Sequence, residues 1–242
     1  MIAENDLSTW LAIVPAYFEE RNIADVVRGI RGQGMSVLVV DDGSTDATAE
    51  QAVAAGATVL RHPVNRGKGA ALQTGFHHAI QQGVSWIVTM DSDGQHDPAD
   101  LPSFCALASG DIAVIVGNRM GDIADMPRLR RLTNRFMSWL LSLMIGQRVA
   151  DTQCGYRAYR ADVLPLLFTK TTRYDAESEV LVWLGRAGYR IESVPIRTIY
   201  HAAPKSKINP FADTARFFAM LRRLHRESRR EMENRSVETG RD

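Results

Sequence analysis

Met35-Ser36-Val37-Leu38-Val39-Val40-Asp41-Asp42-Gly43-Ser44-Thr45-Asp46 sets a short apolar run directly against a polar end. Val37 to Val40 are branched and uninterrupted by polar residues, as expected of a strand buried on both faces, and such strands belong to parallel sheets. The same arrangement recurs at Leu11–Ala16, followed by Tyr17–Glu19, and at Trp86–Asp91, which opens the cluster Asp91–Asp97. Ala57–Arg61 and Ile112–Gly117 are further strand-like runs. Helix-like segments near 19–31, 45–55, 68–82 and 98–109 separate them, with Ser44 or Thr45, and Asp97 before Pro98, as N-terminal starts. This alternation predicts an α/β fold, a Rossmann-like, doubly wound, mostly parallel sheet with helices on both faces. Ligands of such sheets bind beyond the carboxyl ends of the strands, which is where the polar clusters fall.

Beyond residue 117 the pattern changes to a basic helix over about 128–145, a polar loop through Asp151–Gly155, a helix around 175–187 and an apolar strand at 190–198. A last helix, about 210–229, leads into a charged tail. A length of 242 residues with 45% hydrophobic residues suits one domain with an ample core. Cys105 and Cys154 are too few for a disulfide framework and lack zinc-site spacing, which fits a reducing cytoplasm. Glu4 and Asp6 precede a short apolar stretch interrupted by Pro15, so no signal peptide is expected. No apolar run approaches the roughly 18 residues of a spanning helix; Trp139 to Ile145, the longest candidate, is broken by Ser142. The net charge of +1 conceals an asymmetry. Residues 1–127 hold 7 Lys/Arg against 16 Asp/Glu, and residues 128–242 hold 22 against 12. Different partners for the two halves, or merely differing solvated faces, would account for it.

Asp91-Ser92-Asp93-Gly94-Gln95 places two carboxylates and an amide at a strand end. Hard oxygen donors suit Mg²⁺ or Mn²⁺ bridging a diphosphate leaving group, although acidic turns of this kind are also common without metal. An Asp at the end of the Asp41–Asp46 strand can accept from a base edge or ribose hydroxyl, with Gly43 permitting close backbone approach. Gly67-Lys68-Gly69 reads either as a phosphate nest or as a plain loop-to-helix transition. His62, His77 and His78 show no metal spacing and read as surface or core polar positions. Neither G-x-G-x-x-G after the first strand nor G-x-x-x-x-G-K-[ST] occurs, which argues against a dehydrogenase and a P-loop NTPase.

Five segments in order resemble family 2 glycosyltransferases, specifically the dolichol- and polyprenyl-phosphate sugar synthase branch. They are Val14–Glu20, Val39–Asp46, Asn65–Gly69, Met90–Pro98 and Asp151–Arg157, and the likeness runs from about 11 to 209. The resemblance implies a GT-A fold in which Pro15, Tyr17, Glu19, Val40 and Asp42 form the nucleotide pocket. Asp91, Asp93 and Gln95 would hold the metal, Mg²⁺ or Mn²⁺, and the diphosphate, with Ser92 in the same loop. Arg119 would lie near the phosphates or sugar, and Lys207 would meet the diphosphate. The family usually has Asn where this chain has Phe18, and tends to have Arg at the position of His201. A UDP- or GDP-sugar is the implied donor, with inversion at the anomeric carbon.

On the acceptor side, Asp151, Glu177 and Glu179 are the acids best placed to reach the transfer site, and Asp151 and Glu179 match family positions beside the acceptor. Asp93, Asp151 and Glu179 are therefore the expected catalytic residues; for Glu179 a simple charge at a helix N-terminus is the other reading. A phosphate acceptor, with a second pKa of about 6, needs no strong base. Leu129, Leu132, Phe136, Leu140 and Leu143 recur at helical spacing beside Arg128, Arg130, Arg131 and Arg135, with no acid between 127 and 149. Phe211, Ala215, Phe218, Leu221 and Leu224 repeat this beside Arg216, Arg222, Arg223 and Arg226. Both read as helices on an anionic membrane surface, or as core or dimer seams. The expectation is one domain over 1–230, its residues 1–127 for nucleotide-sugar and metal and 128–230 for acceptor and membrane, then a flexible tail over 231–242. It would transfer sugar to a polyprenyl phosphate, in the cytoplasm and peripheral to the cytoplasmic face of the membrane. The resemblance implies relatives that often carry C-terminal membrane helices; none is expected in these 242 residues, so a separate membrane protein is a candidate partner, and no nucleic-acid partner is expected. Transfer to a hydroxyl of a glycan or lipid-linked acceptor, and a noncatalytic nucleotide-sugar-binding subunit, are the rival readings.

Overall fold

A computed structural model describes residues 6–121, 128–168 and 175–199, together with Ala219, Arg222 and Arg226 as helical positions. The chain divides into a unit of residues Met1–His201 and a second of Ala202–Asp242, so the expected domain over 1–230 spans the first and part of the second. Most of the expected 210–229 helix lies outside the described residues. In the first unit the elements run β1 (Trp10–Ala16), α1 (Ile23–Gly32), β2 (Ser36–Asp41), α2 (Thr48–Ala54), β3 (Thr58–Arg61), α3 (Lys68–Gln82) and β4 (Trp86–Thr89). They continue with α4 (Leu101–Leu107), β5 (Ile112–Asn118), α5 (Arg128–Ile145), β6 (Arg157–Arg160), α6 (Asp175–Arg186) and β7 (Arg190–Pro195). The strands form one sheet in the order β3-β2-β1-β4-β6-β5-β7. All neighbours are parallel except β6, which runs antiparallel to both β4 and β5.

The chain winds outward from β1 through β2 and β3, then returns to place β4 on the other side of β1. That reversal is the point at which a doubly wound sheet opens a crevice beyond its strand ends. All seven residues of β1 are buried, and Trp10 stacks on its register partner Trp86 at 5.2 Å between ring centroids. α3 covers this centre by close approach: a Cβ at Gly75 would sit 2.4 Å from Ile13 Cγ2.

Two local expectations are corrected. Neither Ser44 nor Thr45 starts α2, which begins at Thr48 behind Ala47 without a side-chain cap. The Ser44 hydroxyl instead accepts from the Phe18 amide at 3.0 Å, and its own amide donates to Asp41 Oδ1 at 3.0 Å, so both groups brace strand ends. Strand β6 is absent from the sequence reading because Arg157 interrupts the apolar pattern of a buried strand; this residue is not on the surface. It is fully buried in the sheet, its guanidinium donating to the Cys154 carbonyl at 2.7 Å and the Thr152 carbonyl at 2.8 Å. Asp97 does cap the turn that opens at Pro98, accepting from the Ala99 amide at 2.9 Å. No helix among the described residues is long and apolar enough to cross a membrane.

Because Gly75 abuts Ile13 whereas a Cβ at Gly32 would meet nothing within 4 Å, alanine should act oppositely at the two positions. In urea titration Gly75→Ala should cost about 1–3 kcal/mol through overpacking, and Gly32→Ala should be neutral or stabilise by up to about 1 kcal/mol.

Candidate active site

The β1 end is shaped by its backbone. Pro15 pairs with Val40 in β2 but falls beyond the last pair between β1 and β4, so its missing N–H costs that ladder nothing. Phe18 adopts φ 57°, the left-handed region that Asn tolerates far better than a bulky residue. This accounts physically for the Asn that the family resemblance implies there. Tyr17 and Phe18 stand edge to face at 4.4 Å and are both exposed. Glu19 is anchored by its amide to Thr48 Oγ1 at 2.9 Å and accepts from Asn22 Nδ2 at 3.0 Å.

At the β2 end both carboxylates are buried and engaged. Asp41 Oδ2 lies 3.0 Å from Arg61 Nε. Asp42 Oδ1 meets His62 Nδ1 at 2.6 Å and the Arg66 amide at 2.9 Å, while Oδ2 accepts the Gly67 amide at 2.7 Å. His62 Nε2 reaches Thr74 Oγ1 on α3 at 2.9 Å. Asp42 thus holds the 62–67 segment in place, a role that the sequence reading does not contain. Close approach of that segment also explains Gly43, at φ 80°, where a Cβ would come within 2.6 Å of the Val64 carbonyl carbon.

What that segment delivers is Lys68, the first residue of α3. Its Nζ lies 2.6 Å from Asp91 Oδ1, and His96 Nε2 lies 3.7 Å from Asp91 Oδ2. Burial would raise the Asp91 carboxyl, but Lys68 and then His96 outweigh it and hold Asp91 well below the usual carboxylate range. Gly155 backs the pair: a Cβ there would lie 3.0 Å from Lys68 Nζ and 3.1 Å from Asp91 Oδ2. Asp93 Oδ1 accepts the Gln95 amide at 3.0 Å, the Gln95 carbonyl accepts from Ile199, and Ser92 is buried. Among the described residues no group of three or more His, Cys, Asp and Glu converges as a protein-only metal cage. Mg²⁺ characteristically takes one or two carboxylates and completes its shell with phosphates and water, so an ionised, partly exposed Asp91 near Asp93 on the same loop fits such an ion.

Across the crevice, Asp151 is fully buried and clamps Arg119. Its Oδ2 accepts Nε at 2.7 Å and its Oδ1 accepts Nη2 at 3.0 Å, with the Arg119 amide at 3.3 Å. Glu179, also buried, accepts from Trp183 Nε1 at 3.4 Å. Gln153 links the two segments, its Nε2 lying 3.4 Å from Ser178 Oγ. Burial pushes the Cys154 thiol up to about 12, which removes it as a nucleophile. Lys207, His201 and the side chain of Glu177 lie outside the described residues. His62, read as a surface or core polar position, is a buried one, and its partner Asp42 is not foreseen from the sequence; His96 and Arg157 lie inside segments of the family resemblance, but their contacts with Asp91 and with the Thr152 and Cys154 carbonyls are visible only in three dimensions.

Helix α5 carries two apolar faces. Met137, Leu141 and Ile145 are buried, while Leu132 (68%), Phe136 (49%), Trp139 (57%) and Leu143 (63%) are exposed at helical spacing, with Arg135 exposed among them. The outer stripe is therefore not core. At the second expected membrane helix, Ala219, Arg222 and Arg226 are exposed, and the remaining positions lie outside the described residues.

A mostly parallel sheet with Asp91 held ionised at a strand end, flanked by Lys68 and Arg119, is the arrangement expected of a GT-A type transferase. The chain belongs to glycosyl transferase family 2, whose model matches residues 11–168. It is 31% identical to a UDP-N-acetylglucosamine–dolichyl-phosphate N-acetylglucosaminyltransferase of Methanococcus voltae, over 78% of this chain and 84% of that one. It is 30% identical to an undecaprenyl-phosphate mannosyltransferase of Micrococcus luteus, over 82% and 87%. Glucosyl-3-phosphoglycerate synthase of Mycobacterium tuberculosis, solved with Mn²⁺ and UDP-glucose, shares the fold at a TM-score of 0.65 and 24% identity, over 84% of this chain and 76% of that one. The two sequence relatives named for dolichyl and undecaprenyl phosphate support the polyprenyl-phosphate sugar synthase branch within the family.

Breaking the buried Arg119–Asp151 pair leaves an uncompensated charge, so Asp151→Ala should lose about 3–5 kcal/mol of stability in chemical denaturation. Asp93→Ala, on a strand-end loop, should lose less than about 1 kcal/mol. Equal losses would mean that the clamp has no structural role.

Proposed function

We propose that the protein transfers a sugar from a UDP- or GDP-sugar to a polyprenyl phosphate, with inversion, at the cytoplasmic face of a membrane. The observation that carries the donor side is Asp91, held ionised at the switch-point crevice with Asp93 two residues on. A bound Mg²⁺ or Mn²⁺ would neutralise charge developing on the departing diphosphate. Pro15, Tyr17, Glu19, Val40 and Asp42 border the nucleotide side; of these, Tyr17 offers an exposed ring and Asp42 acts through the segment it holds. Arg119 and Lys207 would meet phosphate or sugar oxygens, Arg119 being aimed by Asp151.

The acceptor assignment draws on relatives named for dolichyl and undecaprenyl phosphate. It also draws on Asp151, whose two oxygens are occupied by Arg119 rather than poised to take a proton. A phosphate monoester brings its own anionic oxygen for in-line attack on the anomeric carbon, so the reaction needs no free base. The hydroxyl-acceptor alternative does need one. The exposed stripe and arginines of α5 would rest in the headgroup region, near the membrane-bound acceptor. A separate membrane protein could share that surface.

Radiolabelled UDP- and GDP-sugars, supplied with Mg²⁺ and vesicles containing undecaprenyl phosphate, should yield label extractable into organic solvent. EDTA should abolish this, and Asp93→Ala should reduce it on the order of 10²-fold or more while the protein stays folded. Arg131→Glu with Arg135→Glu should weaken binding to anionic vesicles, since each cation near such a surface is worth about 1 kcal/mol, but spare transfer to a short, water-soluble analogue. Full activity in EDTA would contradict the metal reading, and undiminished vesicle binding would contradict the interfacial one.

A further inference from the structure

The contact between Lys68 and Asp91 joins a cation to the carboxylate that the proposed metal would use. At 2.6 Å, Lys68 Nζ occupies Asp91 Oδ1 at ion-pair distance, and the ammonium is largely sheltered, its side chain only 19% exposed. Chance rotation of a surface lysine does not describe this placement. Asp42 accepts the amides of Arg66 and Gly67, Gly67 turns the chain at φ 94°, and α3 begins at Lys68 itself. Gly155 supplies the wall on the other side, where a Cβ would crowd both partners. Three separate segments therefore fix the point at which ammonium and carboxylate meet.

A divalent cation coordinated to Asp91 at its usual distance of about 2.0–2.6 Å would stand close to that ammonium. Two like charges at such range in a partly buried site repel, and the single negative charge of Asp91 cannot offset a divalent cation and an ammonium together, so a further anion is needed. The donor's diphosphate is such an anion: its oxygens can ligate the metal and, at the same time, accept from Lys68. We infer that Lys68 is the resident cation of Asp91, which excludes free metal from the site and yields the carboxylate when a nucleoside diphosphate arrives to take its ammonium. Metal and nucleotide would then load as a coupled pair, and Asp91 would keep a counter-charge between turnovers. The inference rests on the reading of Asp91 as a metal ligand and adds to it the order in which the site fills.

Mn²⁺ binding to the full chain, followed by electron paramagnetic resonance with and without UDP or GDP, tests this without reference to activity. In the parent protein, Mn²⁺ alone should bind weakly and the diphosphate should strengthen binding markedly. Lys68→Met should bind Mn²⁺ alone roughly tenfold tighter or more, given the repulsion removed, and the nucleotide should enhance it less. Lys68→Gln should move in the same direction, and an affinity gained cannot come from a merely damaged fold. If both variants bind Mn²⁺ alone no better than the parent, or the nucleotide enhancement is unchanged, Lys68 is not the resident cation. Asp91→Asn separates this from failure of the underlying reading. If Asp91→Asn leaves nucleotide-dependent Mn²⁺ binding intact, Asp91 is not a metal ligand and both conclusions fall together.

Discussion

Carboxylates gathered at the ends of buried parallel strands cannot remain there unpaired, because an isolated charge in such surroundings is far costlier than a paired one. At four of these carboxylates the protein meets the constraint with a basic side chain from another segment. Arg61 and His62 answer Asp41 and Asp42, Lys68 answers Asp91, and Arg119 answers Asp151. The pairs differ in consequence. Asp42 and Asp151 are buried and serve as fixed supports, one for the segment leading to α3 and the other for the Arg119 guanidinium. The Asp91 side chain keeps 33% of its surface open, as the proposed exchange of Lys68 for a metal requires.

The proposed function draws on that division between buried pairs and the partly open one. A leaving diphosphate needs positive charge that is already in position when the bond breaks, because preorganised charge does not have to be reorganised during the reaction. Arg157 contributes from within the sheet by gripping the carbonyls of Thr152 and Cys154, which sets the 151–155 loop and with it the Gly155 wall. The outer face of α5 has no such inward role. Its exposed Leu132, Phe136, Trp139 and Leu143 belong to the side of the molecule proposed to meet the acceptor's membrane.

Much of the fold was legible in the sequence, because strands buried on both faces leave uninterrupted apolar runs; β1, β2, β3 and β5 fall within a residue of their expected limits. β6 was not legible, since Arg157 breaks the apolar pattern and only the carbonyls that satisfy it make its burial tolerable. Among site residues, strand-end acids announce themselves by position, but their partners do not. Nothing in the sequence assigns His62 to Asp42, or reveals that both oxygens of Asp151 are taken by Arg119. Pairings of this kind arise from chain segments far apart in sequence and become visible only when the sheet brings them together. The double-faced character of α5 was half legible: its spacing gave an apolar stripe, but only burial distinguishes the face on the core from the one on the surface.

The proposed function turns on phosphate as the nucleophile, with Asp151 engaged by Arg119 rather than serving as a base. The most direct measurement compares undecaprenyl phosphate with undecaprenol as acceptors, using the same labelled nucleotide-sugar, metal and vesicles across pH 6 to 9. The account predicts product from the phosphate alone, with little gain in rate above the second phosphate pKa of about 6. Comparable transfer to the alcohol, rising steadily with pH, would contradict it.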